Sequence, residues 1–267
     1  MDVTRLALVL MAVGCSATQR SQTNNEENTF AVQMSLEQVP EGRPSVGGLN
    51  LAYNRLKELP AHVFVRNHYR RAHTIQLSHN RISQVHPAAF RGIFHLRTLD
   101  LSYNNLTSLD SHTFKHNHAL RNLDLAYNNL VLDPERPLVR SPSLESLQLS
   151  RNRIIHVYDI NFAFVPNLQV LHLDHNPLYY LSSKCFKRAE GLQFISLAET
   201  SVHTLTSSMF GTLPRLVDLT GTLLAQKFEP RLRKVRSRQL LQLMNLESQD
   251  FVTREEEEEE EDGREVV

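Results

Sequence analysis

The stretch LDLSYNNLTSLDSHTFKHNHALRNLDLAYNNL, residues 99–130, contains one short segment twice. LDLSYNNL at 99–106 returns as LDLAYNNL at 123–130, which is 24 residues later. The asparagine at the sixth place of each copy serves as a ruler for the chain. It recurs after one step of 26 residues and then in steps of 24, at Asn54, Asn80, Asn104, Asn128, Asn152, Asn176 and, as threonine, Thr200. A fixed period in this range predicts stacked supersecondary units.

Four apolar columns keep a constant spacing from this ruler. They lie five and three residues before it and two and ten residues after it, as in Leu99, Leu101, Leu106 and Phe114. Because side chains alternate between the two faces of a strand, the L-x-L segment directs both leucines to one face. Stacked units then form a parallel sheet with a buried leucine face. A single unit buries too little apolar surface to fold alone, so its neighbours must supply the rest.

The columns resemble the leucine-rich repeat family in its 24-residue extracellular form, LxxLxLxxNxLxxLxxxxFxxLxx. Residues 96–119 match nearly every marked position, and the resemblance covers about residues 32–224. It implies an α/β solenoid, the leucine-rich repeat horseshoe, with a parallel concave sheet and an irregular or short-helical convex side. It also implies that the ruler asparagines form a hydrogen-bonded ladder, which Thr200 continues only in part.

Domain boundaries follow from the ends of the repeat pattern and from changes of composition. In the fourth unit, Pro134 and Pro137 predict an extended convex segment at 132–143. Residues 255–262 are eight consecutive acids, a run that repels itself. The predicted organisation is a signal peptide at 1–17, a flexible segment at 18–31, a cysteine-less N-terminal cap at 32–45, seven repeats and a partial eighth at 46–224, a basic segment at 225–250 with a candidate capping helix at 239–246, and an acidic disordered tail at 251–267.

The N-terminus has the features of a secretory signal. Arg5 precedes an unbroken apolar run at 6–13, and small residues up to Ala17 form a cleavage site. The run is too short to span a bilayer, and no later segment is long and apolar enough to do so. We therefore expect a protein of the extracellular space, for which the only sequon, Asn105-Leu-Thr107, is a glycosylation site.

Signal cleavage would leave Cys185 as the single cysteine. We interpret it as a half-buried free thiol, and an intermolecular disulfide is the alternative. The balance of 29 basic and 29 acidic residues gives no global field that favours nucleic acid. No catalytic or phosphate-binding motif is found, so the sequence predicts no enzyme and no cofactor. His112, His116 and His118 are interpreted as a solvated polar surface rather than a metal site.

The concave face carries the candidate binding residues. Residues that alternate with the core leucines are expected to point out of the strands, and two such columns contain tyrosines, aspartates, histidines and an arginine. Tyrosine and arginine dominate protein-binding hot spots, although tyrosine at this position is common in the family and partly structural. The predicted partner-binding residues are Tyr53, His79, Asp100, Tyr103, Asp124, Tyr127, Arg151, His172 and His175. His172 and His175 lie on either side of Asp174, and this arrangement predicts that binding depends on pH near pH 6.

Together these features predict a secreted, non-enzymatic leucine-rich repeat protein that binds a protein ligand or receptor through its concave sheet. The alternative is an intracellular scaffold or an enzyme-regulatory subunit. It is favoured by Met34, which stands where family caps usually carry a cysteine. The identity of the partner and the oligomeric state are left open by the sequence, because this fold serves many partners.

Overall fold

The computed structural model describes residues 27–228 and 234–236, and its main feature is one sheet of ten short strands. All neighbouring strands pair in parallel except the last two, which are antiparallel. The predicted solenoid with a parallel concave sheet is confirmed. In spatial order the strands are β1 (Glu27–Phe30), β2 (Val46–Asn50), β4 (Thr74–Gln76), β6 (Thr98–Asp100), β7 (Asn122–Asp124), β8 (Ser146–Gln148), β10 (Val170–His172), β12 (Phe194–Ser196), β13 (Leu216–Asp218) and β14 (Lys234–Arg236).

Constant register places like residues of successive units beside one another. Leu99 of β6 pairs with Ile75 on one side and with Leu123 on the other, and all three are buried. The same alignment continues through Leu147 and Leu171. The apolar columns of the sequence thus become continuous rows of packed side chains behind the sheet, in which each unit completes the core of the next.

The convex side is built from short pieces of structure. It contains two two-stranded sheets, a four-residue helix, a 3₁₀ turn and, after the last parallel strand, a second helix. These are β3 (Glu58–Leu59) with β5 (Gln84–Val85), β9 (His156–Val157) with β11 (Tyr180–Leu181), α1 (Val63–Arg66), the 3₁₀ turn Ser207–Met209 and α2 (Leu223–Phe228).

A row of phenylalanines fills the space between the sheet and the convex side. The rings of Phe64 and Phe90 lie 5.2 Å apart between centroids, and those of Phe186 and Phe210 lie 5.4 Å apart. Leu138 interrupts the row in the fourth unit, where segment 132–143 contains no helix, as its prolines predict. Segment 132–143 is connected to the next unit by Asn161, whose Nδ2 donates to the carbonyls of residues 133 and 136.

The asparagine ladder joins successive turns behind the end of each strand. Asn128 donates from Nδ2 to Leu101 O of the preceding unit at 3.0 Å and to Leu125 O of its own unit at 3.1 Å. Its Oδ1 accepts the Leu106 N–H at 3.0 Å. These bonds satisfy backbone groups that no water can reach, and omitting them would leave those groups buried and unpaired.

The ladder weakens at Thr200, as the sequence predicts. The Thr200 hydroxyl donates only to Leu197 O, within its own unit, at 2.6 Å. Asn176, one unit earlier, still reaches across to Leu149 O at 2.9 Å and accepts the Ile154 N–H. The seventh unit is therefore held to the sixth by main-chain pairing and apolar packing, without the side-chain bridge.

The N-terminal end differs from the expected flexible segment. Residues 27–30 form β1, which pairs in parallel with β2, and so cover the first repeat strand. The ladder continues into the cap, because Asn54 Oδ1 accepts the N–H groups of Met34 and Leu36 at 3.0 Å each. The cap is therefore attached by hydrogen bonds rather than by disulfides.

A close approach of a tyrosine ring fixes the end of this cap. A Cβ atom on Gly42 would lie 2.2 Å from Cε1 of Tyr69, so no larger residue fits there. The Gly42 N–H donates to Asn67 O at 3.0 Å, and Tyr69 is fully buried. That burial raises the pKa of Tyr69 to about 12.

The C-terminal end is closed by a strand. β14 pairs antiparallel with β13, and Lys234 Nζ lies 3.8 Å from Asp218 Oδ2. The predicted capping helix at 239–246, the signal peptide and the acidic tail lie outside the described residues. In the part of the chain that the structure describes, no helix has the length and apolar character needed to cross a membrane.

Candidate functional site

The column that contains the tyrosines lies in turns rather than in strands, which corrects the sequence-based expectation. β7 ends at Asp124, three residues before Tyr127. Tyr127 has φ 53°, in the left-handed region, and its equivalents in the other units share this conformation with φ between 52° and 58°. They are Tyr53, His79, Tyr103, Arg151, His175 and Glu199. The left-handed residue turns the chain sharply, so that the asparagine that follows it enters the core.

Four rings of this column form a continuous stack along the edge of the sheet. The centroids of Tyr53 and His79 are 4.1 Å apart, those of His79 and Tyr103 are 4.1 Å apart, and those of Tyr103 and Tyr127 are 3.9 Å apart. The interplanar angles are 7°, 14° and 13°. Arg151 continues the row, with its Cζ 5.3 Å from the Tyr127 centroid. We call these four rings and Arg151 the aromatic stack.

The aromatic stack is open to solvent. Its three tyrosines are exposed, and a depression of about 540 Å³ lies against it, lined in part by Asn105, Asn129 and Arg151. A hydrogen bond with Tyr127 raises the pKa of Tyr103 above its ordinary value. The stack thus presents aromatic edges, phenol groups and one guanidinium group on a rigid scaffold.

Beside the stack lie the carboxylates of Asp100 and Asp124. Asp100 Oδ1 accepts the Ser102 N–H at 2.9 Å, and Asp124 Oδ1 accepts the Ala126 N–H at 2.9 Å. Both side chains therefore close the turn after their own strand, in addition to facing solvent. Burial raises the pKa of Asp124, and the nearby charge of Asp100 acts in the same direction.

His172 and His175, the two histidines that flank Asp174 in the sequence, have different surroundings in the structure. His172 Nδ1 lies 3.4 Å from Asp174 Oδ1, and its ring packs 5.1 Å from that of Phe194. Burial opposes ionisation of Asp174, but hydrogen bonds from His172 and Ser150 prevail and lower its pKa. His175 belongs to the left-handed column and is exposed. The contact between histidine and carboxylate is therefore made by His172.

The remaining predicted residues occupy different surroundings. Asn105 is exposed beside the aromatic stack. This exposure is what attachment of a glycan requires. Cys185 is free and only 1% exposed, and burial raises the pKa of its thiol. Cys185 is therefore fully buried rather than half-buried as expected, which favours a free thiol over an intermolecular disulfide. Within the described residues, no group of histidine, cysteine and acidic side chains converges as a metal site.

The sequence analysis did not include two sets of exposed side chains that the structure shows on the surface. Tyr179 and Tyr180 are exposed on the side of the solenoid, and the Tyr179 ring lies 4.9 Å from that of His203. Arg55, Arg81 and Arg153 occupy one column directly after the ruler, and all are exposed. The repeat period could have revealed the arginine column, because the positions after the ruler asparagine can be aligned from unit to unit in the same way as those before it.

Comparisons with known proteins agree with this architecture. A family model described as leucine rich repeat matches residues 70–130, and one described as BspA type leucine rich repeat region (6 copies) matches residues 138–229. The crystal structure of the leucine-rich repeat domain of APL1B superposes with a TM-score of 0.51 at 18% identity, over 83% of this chain and 69% of that one. A search of curated proteins found no significant match. The chain belongs to the leucine-rich repeat proteins.

This membership defines the general class of function. Leucine-rich repeat families are generally non-enzymatic modules that mediate protein–protein interaction, and this chain has their fold. Beside the aromatic stack, the carboxylates of Asp100 and Asp124 each accept a backbone N–H and so hold the turn after their own strand.

Proposed function

We propose that this protein binds a protein partner through the edge of its concave sheet, with the aromatic stack as the main contact. The observation that carries the proposal is the unbroken row of rings from Tyr53 to Tyr127 at centroid spacings near 4 Å, which Arg151 continues at 5.3 Å. Tyrosine and arginine supply much of the binding energy in protein interfaces. Because each ring is already held by its neighbours, little side-chain freedom remains to be lost on binding.

Removal of the centre of the stack tests this proposal. The combined variant Tyr103→Ala, Tyr127→Ala and Arg151→Ala should lose partner binding and keep its fold. The control variant Arg91→Ala, Lys115→Ala and Arg188→Ala alters three exposed convex residues and should bind as the wild type does. Partners are captured by cross-linking from the medium or extract in which the chain is found. A partner retained equally by all three proteins would exclude the aromatic stack as the contact.

We further propose that the protein is secreted and carries a glycan on Asn105. The signal-like N-terminus and the exposed sequon support this proposal. Expression in animal cells should deliver the chain to the medium, and glycosidase treatment should lower its mass. The Asn105→Gln variant should show no such shift. Retention inside the cell, with an unmodified mass, would support the alternative instead.

That alternative is an intracellular scaffold or enzyme-regulatory subunit. It is favoured by the cap, which is held by Asn54 rather than by disulfides, and by a free, buried Cys185. Both features persist in a reducing compartment. The concave contact would serve either protein, so the secretion experiment separates the two without affecting the binding experiment.

Binding through the concave face is proposed to depend on pH because of His172. A charged imidazole at His172 would lie beside Asp174 and near Asp124, and histidine is the side chain whose charge generally changes between pH 5 and pH 8. Affinity for the captured partner should therefore differ between pH 5.5 and pH 7.4, and the His172→Gln variant should lose the difference. Equal wild-type affinities at the two pH values would remove this part of the proposal.

A further inference from the structure

One edge of the solenoid carries a continuous surface without acidic residues. It consists of the columns one residue before, one after and three after the ruler, from Tyr53 to Tyr179. Nearly all of these side chains are exposed and the others are half-buried. None is acidic, and five are lysine or arginine. We call these five residues the basic rim: Arg55, Lys57, Arg81, Arg151 and Arg153.

The charges of the basic rim lack acidic partners in the described structure. Arg55, Arg81 and Arg153 form no ion pair within residues 27–228 and 234–236. On the opposite edge of the sheet, by contrast, Arg121 Nη1 lies 3.5 Å from Glu145 Oε1. The concave sheet between the two edges carries carboxylates, but Asp100 and Asp124 are engaged with the turns of their own units.

The complementary charge is present elsewhere in this chain. Residues 255–262 are eight consecutive acids, which we call the acidic run. The whole chain has 29 basic and 29 acidic residues, so outside the acidic run 29 basic residues stand against 21 acidic ones. We propose that the acidic run binds the basic rim of the same molecule and covers the flank of the aromatic stack.

Chain length allows this contact. Residues 237–254 connect β14 to the acidic run, and 18 residues span up to about 60 Å at roughly 3.3 Å each. The unit of Arg153 lies four strand spacings from β14, about 19 Å away at roughly 4.8 Å per strand.

The acidic run also matches the basic rim in length. Arg153 and Arg55 are separated by four strand spacings, about 19 Å. Eight extended residues cover about 26 Å, so one acidic run can reach every member of the basic rim.

The contact is expected to be weak at each residue and effective as a set. Exposed ion pairs contribute little individually and are screened by salt. The connecting segment supplies a high effective concentration, which makes several weak pairs sufficient. The acidic run therefore shields the aromatic stack at low salt and leaves it at high salt. This intramolecular contact requires no protein partner, and it is tested on the unglycosylated chain because Asn105 lies between Arg81 and Arg153 in one column.

The test uses full-length chains and a fluorescent peptide of residues 251–267. In the first chain, Glu255 to Glu261 are changed to glutamine and Asp262 to asparagine, which leaves the basic rim unoccupied. This chain should bind the peptide, as measured by anisotropy. The wild type should bind it at least tenfold more weakly, because its own acidic run competes. Binding should fall at least tenfold between 0.05 and 0.5 M NaCl.

Charge reversals in the neutralised chain locate the contact. The variant Arg55→Glu, Arg81→Glu, Arg151→Glu and Arg153→Glu should lose the peptide. The matched variant Arg70→Glu, Arg71→Glu, Arg91→Glu and Arg188→Glu, at exposed positions outside the basic rim, should keep it. Unfolding curves that match those of the neutralised chain show that each variant is folded. If a variant unfolds, the glutamine replacements at the same four positions take its place.

Three outcomes would overturn the proposal. Equal peptide binding by the wild type and the neutralised chain would show that the acidic run does not occupy the basic rim. Loss of binding on changing Arg231, Arg233 and Arg238 to glutamine, but not on reversing the basic rim, would place the acidic run on the neighbouring basic segment. Binding of heparin through the basic rim, without binding of the peptide, would make the surface a site for sulfated polysaccharide.

Discussion

The asparagine ladder and the aromatic stack occupy adjacent residues in each of the first five repeats, but the ladder position is buried and constant whereas the position before it is exposed or half-buried and variable. Asn128 is 6% exposed and hydrogen-bonded on all sides, whereas Tyr127, directly before it, is 39% exposed. The ladder position is asparagine in six successive units, but the position before it changes from tyrosine and histidine to Arg151 and Glu199. The buried hydrogen bonds of the asparagine fix the turn in each unit, so the exposed residue before it can vary without loss of the fold.

The largest effect is expected from breaking the ladder in its middle. Asn128→Ala removes donors to Leu101 O and Leu125 O and the acceptor of the Leu106 N–H, all of them buried. Unpaired buried groups should lower the free energy of unfolding by about 3 kcal/mol, as measured by chemical denaturation. Asn129→Ala is the control, because that side chain is half-buried, and it should change stability by about 0.5 kcal/mol or less. Equal losses for the two variants would contradict the role of the ladder.

Extending the ladder should have a moderate, opposite effect. In Thr200→Asn, the new amide can reach the carbonyl of Leu173 in the preceding unit, as Asn176 reaches Leu149 O. Its oxygen can accept the Leu178 N–H, as Asn176 accepts the Ile154 N–H. We expect a gain of about 1 kcal/mol in unfolding free energy, visible as a higher denaturation midpoint. Thr200→Val, which keeps the shape without the hydroxyl, should instead lose stability.

A change in the aromatic stack should affect stability little. Tyr127→Ala removes ring contacts with Tyr103 and the packing of Arg151, which should cost about 1 kcal/mol or less. Tyr127→Gly should cost no more than the alanine variant, because glycine adopts the left-handed conformation without strain. The measurement is again chemical denaturation. A loss as large as that of Asn128→Ala would mean that the stack is scaffold and not surface.

The smallest effect concerns Asp124 and depends on pH. Burial raises the pKa of this carboxyl, so the fold is favoured while the group is protonated and loses that advantage as pH rises through the folded-state pKa. Asp124→Asn keeps the acceptor for the Ala126 N–H, in the way that Asn50 already serves Ala52 at 3.0 Å. The melting temperature of the variant should be slightly higher than that of the wild type at pH 7 and equal to it at pH 3. A larger gain at pH 3 would reverse the assigned sign.

Most of the scaffold was predictable because its signals are local and repeated. The columns of Leu99, Leu101 and Phe114 return in phase in successive units, so the parallel sheet and its packed interior follow from spacing alone. The prolines at 134 and 137 likewise predicted the irregular convex segment. The strand at 27–30 was missed because it lies before the first ruler asparagine and carries no leucine pattern.

The surface was predictable only in part. Tyr103 and Tyr127 were assigned to a common exposed column, and the structure places their rings 3.9 Å apart. Their turn conformation was missed because alternation was extended beyond the end of strands that are three residues long. For the same reason, the sequence did not distinguish His172 from His175. His172 is the last residue of a strand and contacts Asp174, whereas His175 lies in the left-handed turn.

The sequence alone determined the repeat, the buried columns, the ladder and its weak step at Thr200, because each depends on residue type at a fixed spacing. The tertiary structure decided how residues 24 apart meet: which rings stack, which carboxylates accept backbone N–H groups, and which arginines form an ion pair, as Arg121 does with Glu145. The physical reason is that stacking distance and charge pairing depend on side-chain direction. That direction is set by the left-handed turn and by the neighbouring units, and no single repeat encodes it.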